Sequence, residues 1–422
     1  MPGLRWWIVG LLTLATVVNY LDRSCLAVAA PTLKEKLQID EVYFSYIVTG
    51  FQLSYMIMQP VAGRFLDWVG LRMGMAAAVI WWSIANMLHA FAGGWLSLAA
   101  FRTLLGVGEA GNFPGAIKAV GEWFPPKERT IATGIFNVGA GVGAMIAPAI
   151  VAWIILTWNW QMAFVLTGAV GLPFVILWIL LYRPLEKHKW LRQSEREHIL
   201  KGQAEMAVHE QPEKGVWRVV LPQRNFWAVA IARFFAEPAW QFFLYWIPLY
   251  LATEHKLDLK GIAYFAWVPF VAADAGCIAG GFFSPLFVKL GLSVLRARQF
   301  SATVSGLLMF CAIFVVWSPG PVWAILFISV GAFAHQTMSA TLLTLPADLF
   351  PKRTVGTAYG LAGTTGYAGG LIFTLVIGHV AKYVGYTPLF ITIAFLDLIA
   401  AGILWSLLRA PRPAAEAVPA KA

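Results

Sequence analysis

Twelve long apolar segments follow one another along this chain of 422 residues. Each is about the ~20 residues that a helix needs to cross the hydrocarbon of a bilayer. They fall near 5–30, 43–66, 72–93, 95–121, 130–155, 161–182, 226–251, 261–288, 296–317, 320–345, 355–381 and 386–408. The first is too long for a signal peptide and lacks a small-residue cleavage site, so it is expected to open the integral domain. Hydrophobic residues make up 59% of the chain and charged ones 12%, roughly half the charged share of a soluble domain. The expected fold class is an all-α membrane protein with twelve transmembrane helices.

One substantial polar stretch, 183–225, interrupts the pattern and divides the segments six and six. It is rich in Lys, Arg and Glu and reads as a linker with a short amphipathic helix near Glu195–Glu205. The expected organisation is a six-helix bundle over 1–182, a cytoplasmic linker over 183–225, a second six-helix bundle over 226–408 and a disordered cytoplasmic tail over 409–422. The halves share sequence. Glu122-Trp-Phe-Pro-Pro-Lys-Glu-Arg-Thr130 resembles Asp348-Leu-Phe-Pro-Lys-Arg-Thr354, and each precedes a Gly-rich segment with matching Gly139 and Gly363. Two parallel six-helix repeats form one of the transporter architectures, with the substrate held between them near midplane.

The net charge of +10 would suggest nucleic acid in a soluble protein. Here topology accounts for it. One set of loops carries only Lys34, Lys36, Lys256, Lys260 and Lys382, and the opposite set carries most of the remaining cations. The positive-inside rule then places both termini in the cytoplasm. Cys25, Cys277 and Cys311 all lie in apolar segments, with no spacing for a disulfide framework or a metal.

Charges inside apolar segments are costly and almost always face a protein interior or a water-filled cavity. Arg102 and Glu109 stand seven residues apart, on one face of segment four. Asn19, Asp22 and Arg23 stand at i, i+3 and i+4 and are expected on one face of segment one. An Arg in a dry cavity stays charged and can grip a carboxylate with two N–H groups. Burial and a neighbouring Arg act in opposite directions on a carboxyl group's proton affinity, which is the tuning a proton carrier needs. The plainer reading is a static ion pair that fixes helix packing. Segment seven places Arg233, Glu237 and Trp240 at i, i+4 and i+7, with Gln241 slightly round from them. That mixture suits a sugar acid: an amide for hydroxyls, an aromatic face for C–H groups and Arg for the acid. Trp240 also reads as a packing aromatic. Asp274 stands alone in segment eight. Asp397 is the weakest candidate, and His335 reads as a satisfied core histidine.

The loop after segment two is Gly63-Arg-Phe-Leu-Asp-Trp-Val-Gly-Leu-Arg72. It resembles the signature loop of the major facilitator superfamily, with Gly63, Asp67, Gly70 and Arg72 in register. A second copy, Gly281-Phe-Phe-Ser-Pro-Leu-Phe-Val-Lys-Leu-Gly291, lacks the Asp. Asp67 and Arg72 are therefore gating candidates, Asp67 by meeting the positive end of a helix. Tyr20-Leu-Asp-Arg23, Ala29-Ala-Pro31, Gln59-Pro-Val-Ala-Gly63 and Glu122-Trp-Phe-Pro125 resemble the anion:cation symporter branch of that superfamily. Phe235-Ala-Glu-Pro-Ala-Trp-Gln241, Phe265-Ala-Trp-Val-Pro-Phe270 and Ala272-Ala-Asp274 resemble bacterial hexuronate transporters. The resemblance covers roughly 4–408.

It implies the major facilitator fold, two pseudo-symmetric six-helix bundles in a bacterial inner membrane. It implies proton-coupled import of glucuronate, galacturonate or a similar sugar acid, and the alternatives are an aldonate or other organic-anion symporter and, further off, a drug or metabolite antiporter. It assigns Arg23 to the substrate carboxylate and Asp22 and Glu109 to proton coupling, with Arg102 paired to Glu109, and it places Tyr20 and Tyr55 in the sugar-acid pocket. Gly106-Val-Gly-Glu-Ala-Gly111 spells a dinucleotide fingerprint but lies inside an apolar segment with no preceding strand, so its glycines read as close helix packing. No Walker sequence and no nucleophile–base pair is evident, so neither ATP nor enzymatic chemistry is expected. The expected partners are a small carboxylate, protons and lipid, without nucleic acid, metal or cofactor, in a monomer.

Overall fold

The structure, a computed structural model, describes residues 3–207, 216–350 and 352–409. The predicted tail from 410 onward, and Pro351 of the repeated motif, lie outside the described residues. The helices are α1 (Leu4–Leu37), α2 (Glu41–Val69), α3 (Leu71–Leu88), α4 (Trp95–Glu109), α5 (Asn112–Trp123), α6 (Pro126–Thr157), α7 (Trp160–Leu181), α8 (Gln193–Ala207), α9 (Val216–Val220), α10 (Arg224–Glu254), α11 (Leu259–Phe265), α12 (Val268–Lys289), α13 (Val294–Met309), α14 (Pro321–Leu349), α15 (Lys352–Tyr383) and α16 (Thr387–Leu407). Their starts follow local chemistry. Asp40 accepts a hydrogen bond from the Tyr43 N–H at 2.8 Å to cap α2, and Asn159 caps α7 through Met162 N–H.

Among the described residues, nine helices or helix pairs are long and apolar enough to cross a membrane. Three of the twelve segments expected from sequence fall short: α2, the broken pair α4–α5, and α10. These are segments diluted by polar groups, Gln52 in α2, Arg102 and Glu109 in α4, and Arg233 and Glu237 in α10. The hydropathy deficit therefore coincides with the candidate site.

The apolar core is forked. One buried cluster joins residues of both halves, among them Val28, Phe44, Val151, Trp246, Ile328 and Phe390. Toward the linker it divides into two. One branch draws its buried members only from 4–199 and the other only from 220–408. The halves are thus packed together at the end far from the linker and separate at the linker end. Phe44 meets Trp246 edge-on at 5.2 Å on the packed side.

At the far end Lys382 also donates to Asp40 at 2.6 Å, across the halves. Burial pushes the Asp40 carboxyl up, but Lys382 and the Tyr43 N–H outweigh it and hold the carboxyl below its ordinary value. A carboxyl depressed by its partner stabilises the paired state above its ordinary pKa and loses that contribution only as pH falls through the depressed one. Spin labels placed across this end should therefore report one unchanged distance between about pH 7 and pH 5. Lys382→Glu should lengthen it at neutral pH by putting two carboxylates opposite each other. Widening of the unmodified protein at pH 5 would assign the closure to other groups.

Close approach of helices is built on small residues. A Cβ on Gly106 would strike Ser54 and the Phe51 carbonyl of α2, and one on Gly108 would strike Trp81 and Trp82 of α3. The glycines of the fingerprint-like run are where α4 threads between two neighbours. On α6, a Cβ on Gly139 would lie 2.5 Å from the Thr13 carbonyl oxygen of α1. Gly139→Val should destabilise the fold by about 1–3 kcal/mol through overpacking. The midpoint of thermal unfolding in detergent should fall, and an unchanged midpoint would refute this contact.

Candidate substrate-binding site

The site lies at the fork of the core, where the shared cluster gives way to its two branches. Helix α4 stops at Glu109 and the chain turns tightly, with Ala110 and Gly111 N–H donating to the Gly106 and Gly108 carbonyls, before α5 begins at Asn112. Glu109 is thus held at a helix end, fully buried. Facing it from α1 is Arg23, 3% exposed. Arg23 donates from Nε and Nη2 to the same oxygen, Glu109 Oε2, at 3.0 and 2.9 Å. Glu109 Oε1 has no hydrogen-bond partner among the described residues. The guanidinium also reaches Asn19 Oδ1 at 3.3 Å. Its carbon stands 4.6 Å from the Tyr20 ring centre, 4.9 Å from Phe51 and 4.8 Å from Tyr55, so an aromatic cage fixes it without a second anion.

Arg102 corrects one expectation. It does not pair with Glu109 but donates from Nη2 to the backbone carbonyl of Arg23 at 2.6 Å. Seven residues along a helix place Arg102 and Glu109 two turns apart, about 10 Å along the axis, and Arg23 occupies the carboxylate instead. Arg102 is fully buried, its Nε and Nη1 have no hydrogen-bond partner among the described residues, and its guanidinium carbon lies 4.8 Å from the Phe51 ring centre. Phe51 therefore touches both guanidinium groups.

Asp22 is a second correction. It does not join Asn19 and Arg23, which bond each other, because it stands about 100° round the helix from its neighbour Arg23. Asp22 turns into the N-terminal bundle and accepts from Asn86 Nδ2 at 2.8 Å, while Asn86 also bonds Thr167. Its other oxygen is buried without a partner, and no cation stands within ion-pair distance of it among the described residues.

Across the fork, Arg233 and Glu237 approach to 3.9 Å, a loose i, i+4 pair. Pro238 has no N–H to give the Phe234 carbonyl, and Gly369 of α15 packs directly against that carbonyl. Gln241 donates to Glu237 Oε1 at 3.3 Å and accepts from Gln52 Nε2 at 3.2 Å. Gln52 also donates to Thr374 Oγ1 at 3.2 Å. A polar chain therefore crosses from α10 to α2 and α15. Beside it the Tyr55 ring of α2 meets the Tyr367 ring of α15 at 5.5 Å.

Other candidates lie elsewhere. The Trp240 ring packs on Phe270 and His335, both in the C-terminal half, and His335 Nδ1 lies 3.3 Å from Asp397. Asp274 lies against Gly141 of α6. Asp67 accepts from Lys118 of α5 at 2.6 Å, and Arg72 donates to the Ile179 carbonyl of α7. Both contacts stay within the N-terminal half.

Sequence reading missed Gln52, Asn86, Thr167 and Thr374. Gln52 precedes Tyr55 by three residues, on the same face of α2, so stepping back one turn finds it. Asn86 was visible as an amide in an apolar segment. Thr167 and Thr374 left no signal, since a threonine can satisfy its own helix's carbonyl, as both do here.

Two helical halves packed about a buried polar fork are an arrangement that integral membrane transporters use. The sequence matches the Major Facilitator Superfamily over residues 12–374, and the chain belongs to that superfamily, whose fold has twelve spans. It is 40% identical over 417 residues to the hexuronate transporter of Escherichia coli strain K12, covering 99% of this chain and 96% of that one. It is 43% identical over 311 residues to the galacturonate transporter of Dickeya chrysanthemi, covering 73% and 90%. The fold is similar to an inward-facing, occupied bacterial homologue of the human lysosomal transporter Spinster, with a TM-score of 0.76, 17% identity, and 96% and 97% of the chains covered.

Proposed function

We propose that this chain is a monomeric symporter that imports a hexuronate, glucuronate or galacturonate, together with protons across a bacterial inner membrane. The observation that carries the reading is the pair of buried guanidinium groups at the fork, of which Arg23 is ion-paired to Glu109 and Arg102 meets a backbone carbonyl instead of a carboxylate. An uncompensated buried cation is costly, so the site favours an added anion. The relatives named for hexuronate and galacturonate transport support the sugar acid as that anion.

Both termini and the linker face the cytoplasm, so the separated linker end is the inward opening and the end closed by Asp40 and Lys382 is external. The halves 1–182 and 226–408 rock about the fork. A proton arriving on Glu109 withdraws its charge from Arg23. The Nε and Nη2 donors that now share one Glu109 oxygen then take the two oxygens of the substrate carboxylate. Asp22 accepts a proton without an ion pair having to break. Arg102 holds the Arg23 backbone and offers its free N–H groups to the same ligand. Tyr20 and Tyr55 flank the sugar, and Arg233 and Gln241 contribute from the other half, where Trp240 is a packing aromatic on Phe270 and His335. Asp67 and Arg72 close the cytoplasmic end in the opposite state. Proton and substrate drive the change only through unequal affinity for the two states.

Counterflow in proteoliposomes loaded with glucuronate, using a panel of sugar acids and neutral sugars, tests this. Glucuronate and galacturonate should exchange and glucose should not compete. Equal competition by glucose would sink the anion reading.

A further inference from the structure

Gln52 has a feature that packing does not explain. It is 2% exposed, at the middle of α2. Its Nε2 donates to Gln241 of α10 and Thr374 of α15, both in the opposite half, which uses both of its N–H groups. Its carbonyl oxygen Oε1 is buried and has no hydrogen-bond partner among the described residues. A side chain serving only to fill space or tie two halves would not leave a desolvated acceptor bare, because such an atom is expensive to leave unmade.

The surroundings say what could satisfy it. Gln52 follows Phe51, whose ring lies against Arg23 and Arg102, and precedes by one turn Tyr55, whose ring flanks Arg23 and whose hydroxyl is also buried without a partner among the described residues. The guanidinium groups supply only donors and the amide oxygen only accepts. A ligand spanning both must carry an anionic acceptor at one end and a hydroxyl donor further along. We propose that Gln52 is a specificity-determining residue whose side-chain carbonyl accepts a hydrogen bond from one hydroxyl of the bound sugar acid. This rests on the sugar-acid reading above and assigns it a residue that reads the sugar rather than the acid. Its amide donors, held by Gln241 and Thr374 of the far half, orient that carbonyl.

The test is equilibrium binding of glucuronate and of glucuronates lacking one hydroxyl each, to the wild-type protein and to Gln52→Leu. Loss of the cross-half bonds in the variant weakens every ligand by the same factor and cancels in the comparison. In the wild type, removing one particular hydroxyl should cost about tenfold in affinity, and in Gln52→Leu the same removal should cost nothing further. Every other deletion should cost the same in both proteins. If Gln52→Leu is not folded by size exclusion, Gln52→Asn, which withdraws the carbonyl by one methylene, is held to the same criterion. Deletion costs that are identical in both proteins at every hydroxyl overturn the proposal. Failure of the wild type to bind any uronate is a distinguishable result, which removes the sugar-acid reading and this proposal together.

Discussion

Arg23→Ala abolishes uptake of the sugar acid while the protein remains folded, and Arg23→Lys loses most of it. The first effect follows from charge. Without the guanidinium the substrate carboxylate meets no cation at that place, and the orphaned Glu109 can take up a proton instead of remaining a buried unpaired charge. The second follows from shape. The Nε and Nη2 of Arg23 both address Glu109, and the planar guanidinium lies within a cage of Tyr20, Phe51 and Tyr55. An ammonium is a point charge that cannot present two parallel donors or fill that cage as a flat group. Initial rates and affinities in proteoliposomes, beside a size-exclusion profile for each variant, check both. Near-normal uptake and affinity in Arg23→Lys would remove the two-donor grip from the mechanism.

Glu109→Gln separates exchange from accumulation. The amide has the size of the protonated acid and no charge, so Arg23 is no longer ion-paired and remains free for substrate. Counterflow should survive. Accumulation against a gradient requires a proton to be carried and returned, which an amide cannot do, so uptake driven by a pH gradient should be lost. Asp22→Asn should show a weaker form, because Asp22 lies on Asn86 inside one bundle and does not touch Arg23's ion pair. The two acids share the N-terminal half and can titrate as a set, so neither alone need account for the full pH profile. Full pH-driven accumulation by Glu109→Gln would make Glu109 structural and send the search for the coupling acid to Asp22, Glu237 or Asp274.

Much of the architecture is legible in the sequence because the bilayer imposes it. Segment length and the polar stretch at 183–225 are enough to lay out the spans. The site is legible in outline, since charges such as Arg23, Arg102 and Glu109 stand out in apolar runs. Their pairing is not. Arg102 and Glu109 share a helix face, yet the carboxylate belongs to Arg23, because spacing along one helix says nothing of what a neighbouring helix brings. Asp22 and Arg23 are adjacent in sequence and serve different surroundings for the same reason. Gln52 and Thr374 are hidden by their chemistry, as uncharged groups that raise little alarm in an apolar segment. Their meaning comes from a meeting across the halves, between two residues 322 apart in sequence. The alternation of access is equally invisible, because a forked core is a property of packing and not of periodicity.

Coupling through the Arg23–Glu109 pair is tested most directly by following protons as substrate binds. Glucuronate is added to the purified protein in weakly buffered detergent solution at a pH where Arg23 and Glu109 are paired, and the pH of the medium is recorded. If the substrate carboxylate replaces Glu109 on Arg23, the displaced acid must take up a proton, and the medium should become more alkaline in proportion to the sites filled. The signal should be largely absent in Glu109→Gln although that variant still binds. Saturating binding by the wild-type protein with no proton uptake would contradict the exchange of substrate for Glu109 on Arg23.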